Sequence, residues 1–353
     1  MNPAASPPDA LPSSWVVVRL SALGDAILAT GLLDLLHREQ GWTFTVLTKP
    51  ANAPMFANHP AVAAVECPRP ADLGAAGWVR FAAGLARRHA GSGLLDLHGT
   101  LRSRLLSLFW RGPVRRYPKF GLERRLLSRL GPARAPRAAA RLAALNVPQR
   151  YSLALFPRAR SREDLRPRLF LTPAELAAAR DLLAGAGLDP GLRPVALHPY
   201  ATHPGKEWPA GHWRTLAGLL DDAGLPWFVL GKSAAPSPLP GPRDLSNRTD
   251  LRLVAALIAL SRGLVTGDSG PMHLSTAVGA PVVALFGPTT RHWGFFPSGE
   301  RDVVLEPDLA CRPCSLHGGR GCSRPDPCMA AIAPQEVLDA VRETPPDPEG
   351  PAS

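Results

Sequence analysis

Trp15-Val-Val-Val-Arg19-Leu-Ser-Ala-Leu-Gly24-Asp25-Ala-Ile-Leu-Ala-Thr-Gly31-Leu-Leu-Asp-Leu-Leu36 is the stretch that decides the fold. Trp15–Leu20 is a short apolar run with the composition of a strand. Ser21–Asp25 reads as a turn. From Ala26 to Glu39 the apolar residues Ile27, Leu28, Leu32, Leu35 and Leu36 recur at helical spacing. Phe44–Leu47 is the next strand. Strand, turn, helix, strand is how a doubly wound parallel sheet opens.

The alternation continues outward. Leu94–Leu97 is a further buried strand, followed by a basic helical stretch, and residues 157–168 are polar and Arg/Pro-rich, as a linker would be. Thr172 is an N-cap with Pro173 at the first helical position and Glu175 at N3. A second series follows: strands Pro194–Leu197, Trp227–Leu230, Gly263–Thr266 and Val282–Phe286, helices Ala210–Ala223, Leu251–Leu260, Pro271–Val278 and Pro334–Arg342. The expected organisation is a loose tail (1–14), an N-terminal domain (15–170), a C-terminal domain (171–343) and a disordered tail (344–353). A cleft is expected between the strand C-terminal edges of the two halves.

The chain has 353 residues, 45% of them hydrophobic, which suits two domains with their own cores and excludes a disordered chain. No apolar run approaches the roughly 18 residues that span a bilayer. No basic residue precedes Arg19, so no secretory signal is expected and the predicted location is cytoplasmic. The net charge of +11 is concentrated: between Arg102 and Arg150 lie twelve arginines and Lys119 against the single acid Glu123, a net +12. Such a segment suits an acidic partner, whether phosphorylated lipid, anionic membrane or nucleic acid. The alternative is a solvated arginine-rich face. Cys67 stands alone as a small core residue. Cys311, Cys314, Cys322 and Cys328 cluster in the sequence and could hold a structural zinc; a reduced, partly buried loop is the plainer reading.

Four segments could carry chemistry. Thr266-Gly-Asp268-Ser269-Gly270-Pro271-Met-His273 ends a strand and opens a helix. Ser269 can cap that helix, Pro271 suits its first turn, and Gly270 lets an anion approach the free N–H groups. Asp268 would accept sugar hydroxyls. A mere helix cap is the alternative. Gly267-Asp-Ser-Gly270 also resembles the nucleophile segment of trypsin-like proteases, but the next residues are Pro271-Met272 and the surroundings are α/β, so that reading is rejected. His198-Pro-Tyr-Ala-Thr202-His-Pro-Gly-Lys206-Glu-Trp208-Pro209 follows another strand, and a hydroxyl and an ammonium there could hold a diphosphate. Gly24-Asp25 lacks the three-glycine dinucleotide fingerprint, and its carboxylate is better placed as a general base than beside phosphate; a first-turn acid is the alternative. Asp96-Leu-His98-Gly99-Thr100-Leu-Arg102-Ser-Arg104 places Arg102 and Arg104 where they could bind an anionic acceptor.

On these segments, with Gly279-Ala-Pro-Val-Val-Ala-Leu-Phe-Gly-Pro-Thr289, the chain resembles glycosyltransferase family 9, the heptosyltransferases of lipopolysaccharide core assembly. The matching pieces span residues 15–340 in family order. The resemblance implies the GT-B fold of two Rossmann-like domains and metal-independent, inverting transfer from an ADP-heptose-like donor, with no cofactor required. It implies Asp25 as catalytic base; Thr202 and Lys206 on the donor phosphates; Asp268 on the donor sugar; Ser269, Gly270 and Pro271 at a phosphate-binding helix start; and His273 inside that helix. The acceptor would be an anionic or lipid-linked glycan, with peripheral contact at the inner leaflet of the cytoplasmic membrane. Family members often carry a glutamate near the nucleotide ribose; here that stretch reads Gly231-Lys232-Ser-Ala-Ala-Pro. A relative using another nucleotide sugar and acceptor is the same-class alternative. A basic nucleic-acid-binding protein is the other, and the sparse aromatics of the basic segment speak against it.

Overall fold

The computed structural model describes residues 11–314, 318, 322 and 327–344. The strands are β1 (Ser14–Val18), β2 (Thr43–Leu47), β3 (Val62–Glu66), β4 (Gly93–Asp96), β5 (Val114–Arg116), β6 (Val195–His198), β7 (Trp227–Val229), β8 (Leu264–Gly267), β9 (Val282–Leu285) and β10 (Val303–Leu305). The helices are α1 (Leu23–Gln40), α2 (Ala75–Arg88), α3 (Leu101–Phe109), α4 (Gly121–Arg134), α5 (Pro136–Ala143), α6 (Val147–Ser152), α7 (Pro173–Gly185), α8 (Ala210–Asp222), α9 (Leu251–Ala259), α10 (Gly270–Ala277) and α11 (Pro334–Glu343). Among the described residues no helix is long and apolar enough to cross a membrane.

The chain forms two compact units, and each carries one parallel five-stranded sheet. The first comprises residues up to Lys119 together with Val147–Leu169. Its strand order is β3-β2-β1-β4-β5, with β1 central, paired with β2 and β4. A central parallel strand is covered on both faces, so it needs an apolar run rather than alternation; Trp15–Val18 are fully buried. α1 is buried from Ala26 to Leu36. The polar stretch expected to be a linker crosses α1 at Thr30, Gly31 and Asp34. A Cβ at Gly31 would lie 2.2 Å from the Leu165 carbonyl oxygen, so only glycine lets that backbone cross the helix. Leu165 is buried there, the Arg168 N–H donates to Thr30 Oγ1 at 2.9 Å, and the Arg168 guanidinium pairs with Asp34 at 3.0 Å.

The second unit comprises Phe120–Asn146 and the chain from Phe170 onward. Its strand order is β10-β9-β8-β6-β7. The core gathers Val195, Leu197, Val265 and Leu285 from the sheet, Trp213 and Leu216 from α8, and Val337 and Leu338 from α11. At α7, Thr172 caps the first turn as expected, accepting from the Glu175 N–H at 3.2 Å.

Residues 120–146 pack with the second unit, with α4 and α5 setting Leu127, Ala139 and Leu142 against Trp293. The basic segment is therefore shared between the units. Nor is it one solvated face: Arg150 is buried, Arg116 is paired with Asp96 at 2.7 Å, and Arg141 with Glu123 at 2.7 Å.

Candidate active site

In an open parallel sheet, the crevice for ligands lies outside the strand C-terminal ends, where the strand order reverses. In the first unit that point falls between β1 and β4. β1 runs out at Val18 and delivers Arg19; α1 then places Asp25 at its third position. The Asp25 carboxylate accepts the Tyr151 hydroxyl at Oδ1 (3.0 Å) and pairs with the Arg19 guanidinium at Oδ2 (2.5 Å). Its Oδ2 also accepts the Ala22 N–H at 3.3 Å, so the first-turn role weighed for this acid is present as well. Arg19 reaches on to the Leu97 carbonyl past the end of β4 and lies 5.6 Å from the Tyr151 ring centroid. Burial opposes the Arg19 charge, but Tyr151 and Asp25 hold it protonated more firmly than an ordinary arginine. Burial, with Asp25 beside it, pushes the Tyr151 hydroxyl well above its usual range, which keeps it a donor. Tyr117 packs edge-on against Tyr151 at 5.0 Å and fixes the ring.

The β4–α3 turn completes this edge. Asp96, fully buried, accepts the His98 and Gly99 N–H groups at 3.0 and 2.6 Å and turns the chain into α3. His98 is held neutral, its pKa lowered to about 4 by burial and by the nearby Arg19 and Lys119 charges. Arg102 and Arg104 are exposed in the first turns of α3. Arg102 donates to the Leu73 carbonyl at 2.7 Å and lies over Trp78.

In the second unit the order reverses between β6 and β8. His198 ends β6, and its Nδ1 lies 2.9 Å from Thr266 Oγ1 on β8. Burial lowers its pKa to about 4, so it is a neutral bridge between the strands. Past β6, a tight turn over Pro204–Lys206 swings Lys206 back across the end of β8. A Cβ on Gly267 would lie 3.0 Å from the Lys206 carbonyl oxygen, so the turn crosses close over the end of that strand. The ammonium donates to Asp268 Oδ2 at 2.6 Å and to the Asp268 carbonyl at 3.2 Å. Thr289, from the loop after β9, donates to the same Oδ2 at 2.8 Å. Trp208 anchors the turn by donating to the Ile332 carbonyl at 3.0 Å and packing edge-on against Trp213 of α8.

The structure thus brings Lys206 and Asp268 together. Ser269 is the N-cap residue of α10, followed by Gly270 and Pro271 in its first turn. The expected side-chain cap is not made: the Ser269 hydroxyl lies 3.0 Å from Thr266 Oγ1 instead, joining the His198–Thr266 bridge. First-turn N–H groups have no partner within a helix, and Pro271 has none to lose, so Gly270 and Met272 present theirs at the positive end of the helix. His273 is buried, with Phe295 6.4 Å away. Thr202 is exposed in the loop after β6.

Arg19, Tyr151 and Thr289 join the site without having been expected there. Arg19 and Thr289 lie in segments whose pattern is visible in the sequence. Tyr151 stands 126 positions from Asp25 and has no local signal. As for the cysteines, Cys311, Cys314 and Cys322 are exposed and Cys328 is buried, all as free thiols. Burial pushes the Cys314 and Cys328 thiols up. Among the described residues no group of three or more His, Cys, Asp or Glu side chains is placed to hold a metal ion.

A sequence model of glycosyltransferase family 9 (heptosyltransferase) matches residues 94–319, well over half of the chain. The match begins at β4 and so includes Lys206 and Asp268 but not Asp25. A lipooligosaccharide heptosyltransferase 2 of Campylobacter jejuni is 31% identical over 106 residues, which are 29% of this chain and 31% of that protein. The chain thus matches about a third of the length of that curated relative. Among solved structures, a family 9 glycosyl transferase of Veillonella parvula aligns with a TM-score of 0.70 at 18% identity, covering 93% of this chain and 96% of that one. The E. coli ADP-heptose lps heptosyltransferase II aligns with a TM-score of 0.67 at 21% identity, covering 93% and 97%. These two likenesses bear on fold, and they agree with a pair of parallel α/β units. With the family motifs folded to the switch point of each sheet, the chain belongs to glycosyltransferase family 9, the heptosyltransferase family.

Proposed function

We propose that the protein is an inverting sugar transferase that moves a heptose, or a closely similar sugar, from a nucleoside-diphosphate donor to a lipopolysaccharide-core acceptor, with ADP-heptose the first donor to test. The observation that carries the reading is the Lys206–Asp268–Thr289 cluster at the start of α10, within the segment that matches the family. An ammonium beside a helix N-terminus suits a diphosphate, and a carboxylate held on the same cluster suits sugar hydroxyls.

The chemistry divides between the two units. In the first, Asp25 takes the proton of an acceptor hydroxyl as its oxygen attacks the anomeric carbon. Arg19 and Tyr151 hold the carboxylate in one orientation while leaving it partly open, with 16% of its side chain exposed. In the second, the bond from the anomeric carbon to the diphosphate breaks, and its electron pair leaves on the phosphate oxygen. Lys206 and the first N–H groups of α10 stabilise that charge, with Thr202 at the same loop; His273 backs the helix from inside. These groups supply positive charge without a metal, so transfer is expected to persist in chelator. Arg102 and Arg104 are assigned to an anionic acceptor. The protein is read as a cytoplasmic one making peripheral contact with the inner leaflet that carries that acceptor.

A panel of nucleotide sugars tested by thermal shift examines the donor half. ADP and ADP-heptose should raise the melting temperature. If UDP- or GDP-sugars do so and adenine nucleotides do not, the donor assignment is wrong.

A further inference from the structure

The outer face of α4 has a pattern that packing within its own unit does not explain. Leu127 points inward and is buried against Ala139, Leu142 and Trp293. Leu122, Leu126 and Leu130 lie on the adjoining, outward flank of the helix, 68%, 39% and 46% exposed. Spaced four apart, they form a stripe within an arc of about 80° on the helix. Arg125 and Arg129, both exposed, run along one edge of that stripe. Just past α4's Gly131, Arg134 and Arg137 are exposed as well. Between 121 and 137 the sequence holds five arginines and one acid, and that acid, Glu123, is held by Arg141 at 2.7 Å.

We propose that this face is a docking surface for an anionic lipid bilayer, with the three leucines entering the headgroup–acyl boundary and the arginines on lipid phosphates. It rests on the reading of peripheral membrane contact above and deepens it by naming the element and adding an apolar contribution to the electrostatic one. A leucine stripe edged by arginine is what an interfacial helix requires. Arginine stems lie along apolar surface while their heads stay with the phosphates. Charge selects the lipid over a second copy of this chain, because self-pairing would set Arg125 and Arg129 against their own counterparts. α4 is held to its unit by Leu127, so the stripe is presented by a fixed helix rather than one that must fold on contact.

The test is sedimentation of the full-length protein with vesicles of phosphatidylglycerol and phosphatidylethanolamine, against phosphatidylcholine vesicles. The variants are the triple Leu122→Ser/Leu126→Ser/Leu130→Ser, the double Arg125→Gln/Arg129→Gln, and Leu192→Ser, an equally exposed leucine elsewhere. The wild type should bind anionic vesicles only. The leucine triple should weaken binding about 30-fold at fixed salt, because each inserted methylene group adds a salt-independent increment. The arginine double should weaken binding at low salt and flatten its salt dependence. Leu192→Ser should bind as wild type. Wild-type binding unaffected by the leucine triple overturns the proposal and leaves a purely electrostatic contact. Failure of the wild type to bind overturns both the proposal and the peripheral reading. A dimer in solution that the leucine triple dissociates, with vesicle binding unchanged, makes the face a self-interface and also overturns it.

Discussion

Replacing Lys206 by methionine keeps most of the stem and removes the charge. The ammonium has three donors, and the structure commits two of them to Asp268, at 2.6 and 3.2 Å. A diphosphate can take the third donor outright but must share the others with the carboxylate. A hydrogen bond to a charged group contributes about 1.5–3 kcal/mol. Competition from Asp268 puts the net at the lower end, about 1.5 kcal/mol, or roughly tenfold in Kd for free ADP. The same geometry assigns a sign to the neighbouring change. Asp268→Asn removes the competitor, so free ADP should bind as well as or better than to the wild type, while a nucleotide sugar loses its contact and binds more weakly. In the double variant the benefit of Asp268→Asn should vanish, because the ammonium it released is gone. Isothermal titration of ADP and of the nucleotide sugar across the four proteins reads all of this. ADP affinity within twofold of wild type for Lys206→Met would refute the reasoning and make the pair a structural tie across the end of β8.

Three other outcomes follow from the packing. Tyr151→Phe removes the 3.0 Å donor to Asp25 and should lower kcat roughly tenfold while donor affinity holds, as expected for a group that orients the base; a change in ADP affinity instead would separate Tyr151 from the base. His198 is buried neutral with a pKa near 4, against about 6.5 in the unfolded chain. Unfolding therefore takes up a proton below pH 6.5, and stability should fall by up to about 1.4 kcal/mol per pH unit down to pH 4 on this account; Tm measured against pH should slope less for His198→Asn. Gly31→Ala drives a methyl into the Leu165 backbone and should cost about 3 kcal/mol in denaturant unfolding of the first unit; a loss below 1 kcal/mol, on the order of a surface change, would mean that residues 157–168 lift away easily.

How much of this the sequence discloses depends on what each residue is for. β1, β4, β6, β8 and β9 are buried on both faces, and continuous apolar runs announce them. β5 and β10 are edge strands of three residues, and β3 is an edge strand that is mostly exposed, marked only by the small-residue run Val62-Ala-Ala-Val65. Composition misleads at residues 157–168, which look polar although Leu165 is a core residue; a single buried leucine among arginines gives no periodic signal. Residues 120–146 read as a basic helical stretch, and nothing in that pattern says that Leu127 and Leu142 pack against Trp293. Asp25, Lys206 and Asp268 are legible because each lies in the segment that leads from a strand into the next helix, where a parallel sheet exposes its ligand-binding edge. What holds them is less so. Tyr151 reaches Asp25 from a short helix far along the chain, and the Ser269 hydroxyl turns to Thr266 rather than capping α10. Side-chain partners of that kind are decided by tertiary packing, which local pattern does not encode.

Asp25→Asn tests most directly whether Asp25 is the base. The amide keeps the size, and its one oxygen can keep the Tyr151 contact while the NH2 takes the place of the oxygen that faces Ala22 and Arg19, but it cannot take a proton at physiological pH. The measurement is the rate of sugar transfer from ADP-heptose to a deacylated lipopolysaccharide-core acceptor, made alongside titration of ADP on the same protein. If Asp25 is the base, the rate should fall by a factor of about 10²–10⁴, the range of general-base contributions, with ADP affinity unchanged. Turnover close to wild type would contradict it, leaving Asp25 as a first-turn acid that only holds Arg19 at the end of β1.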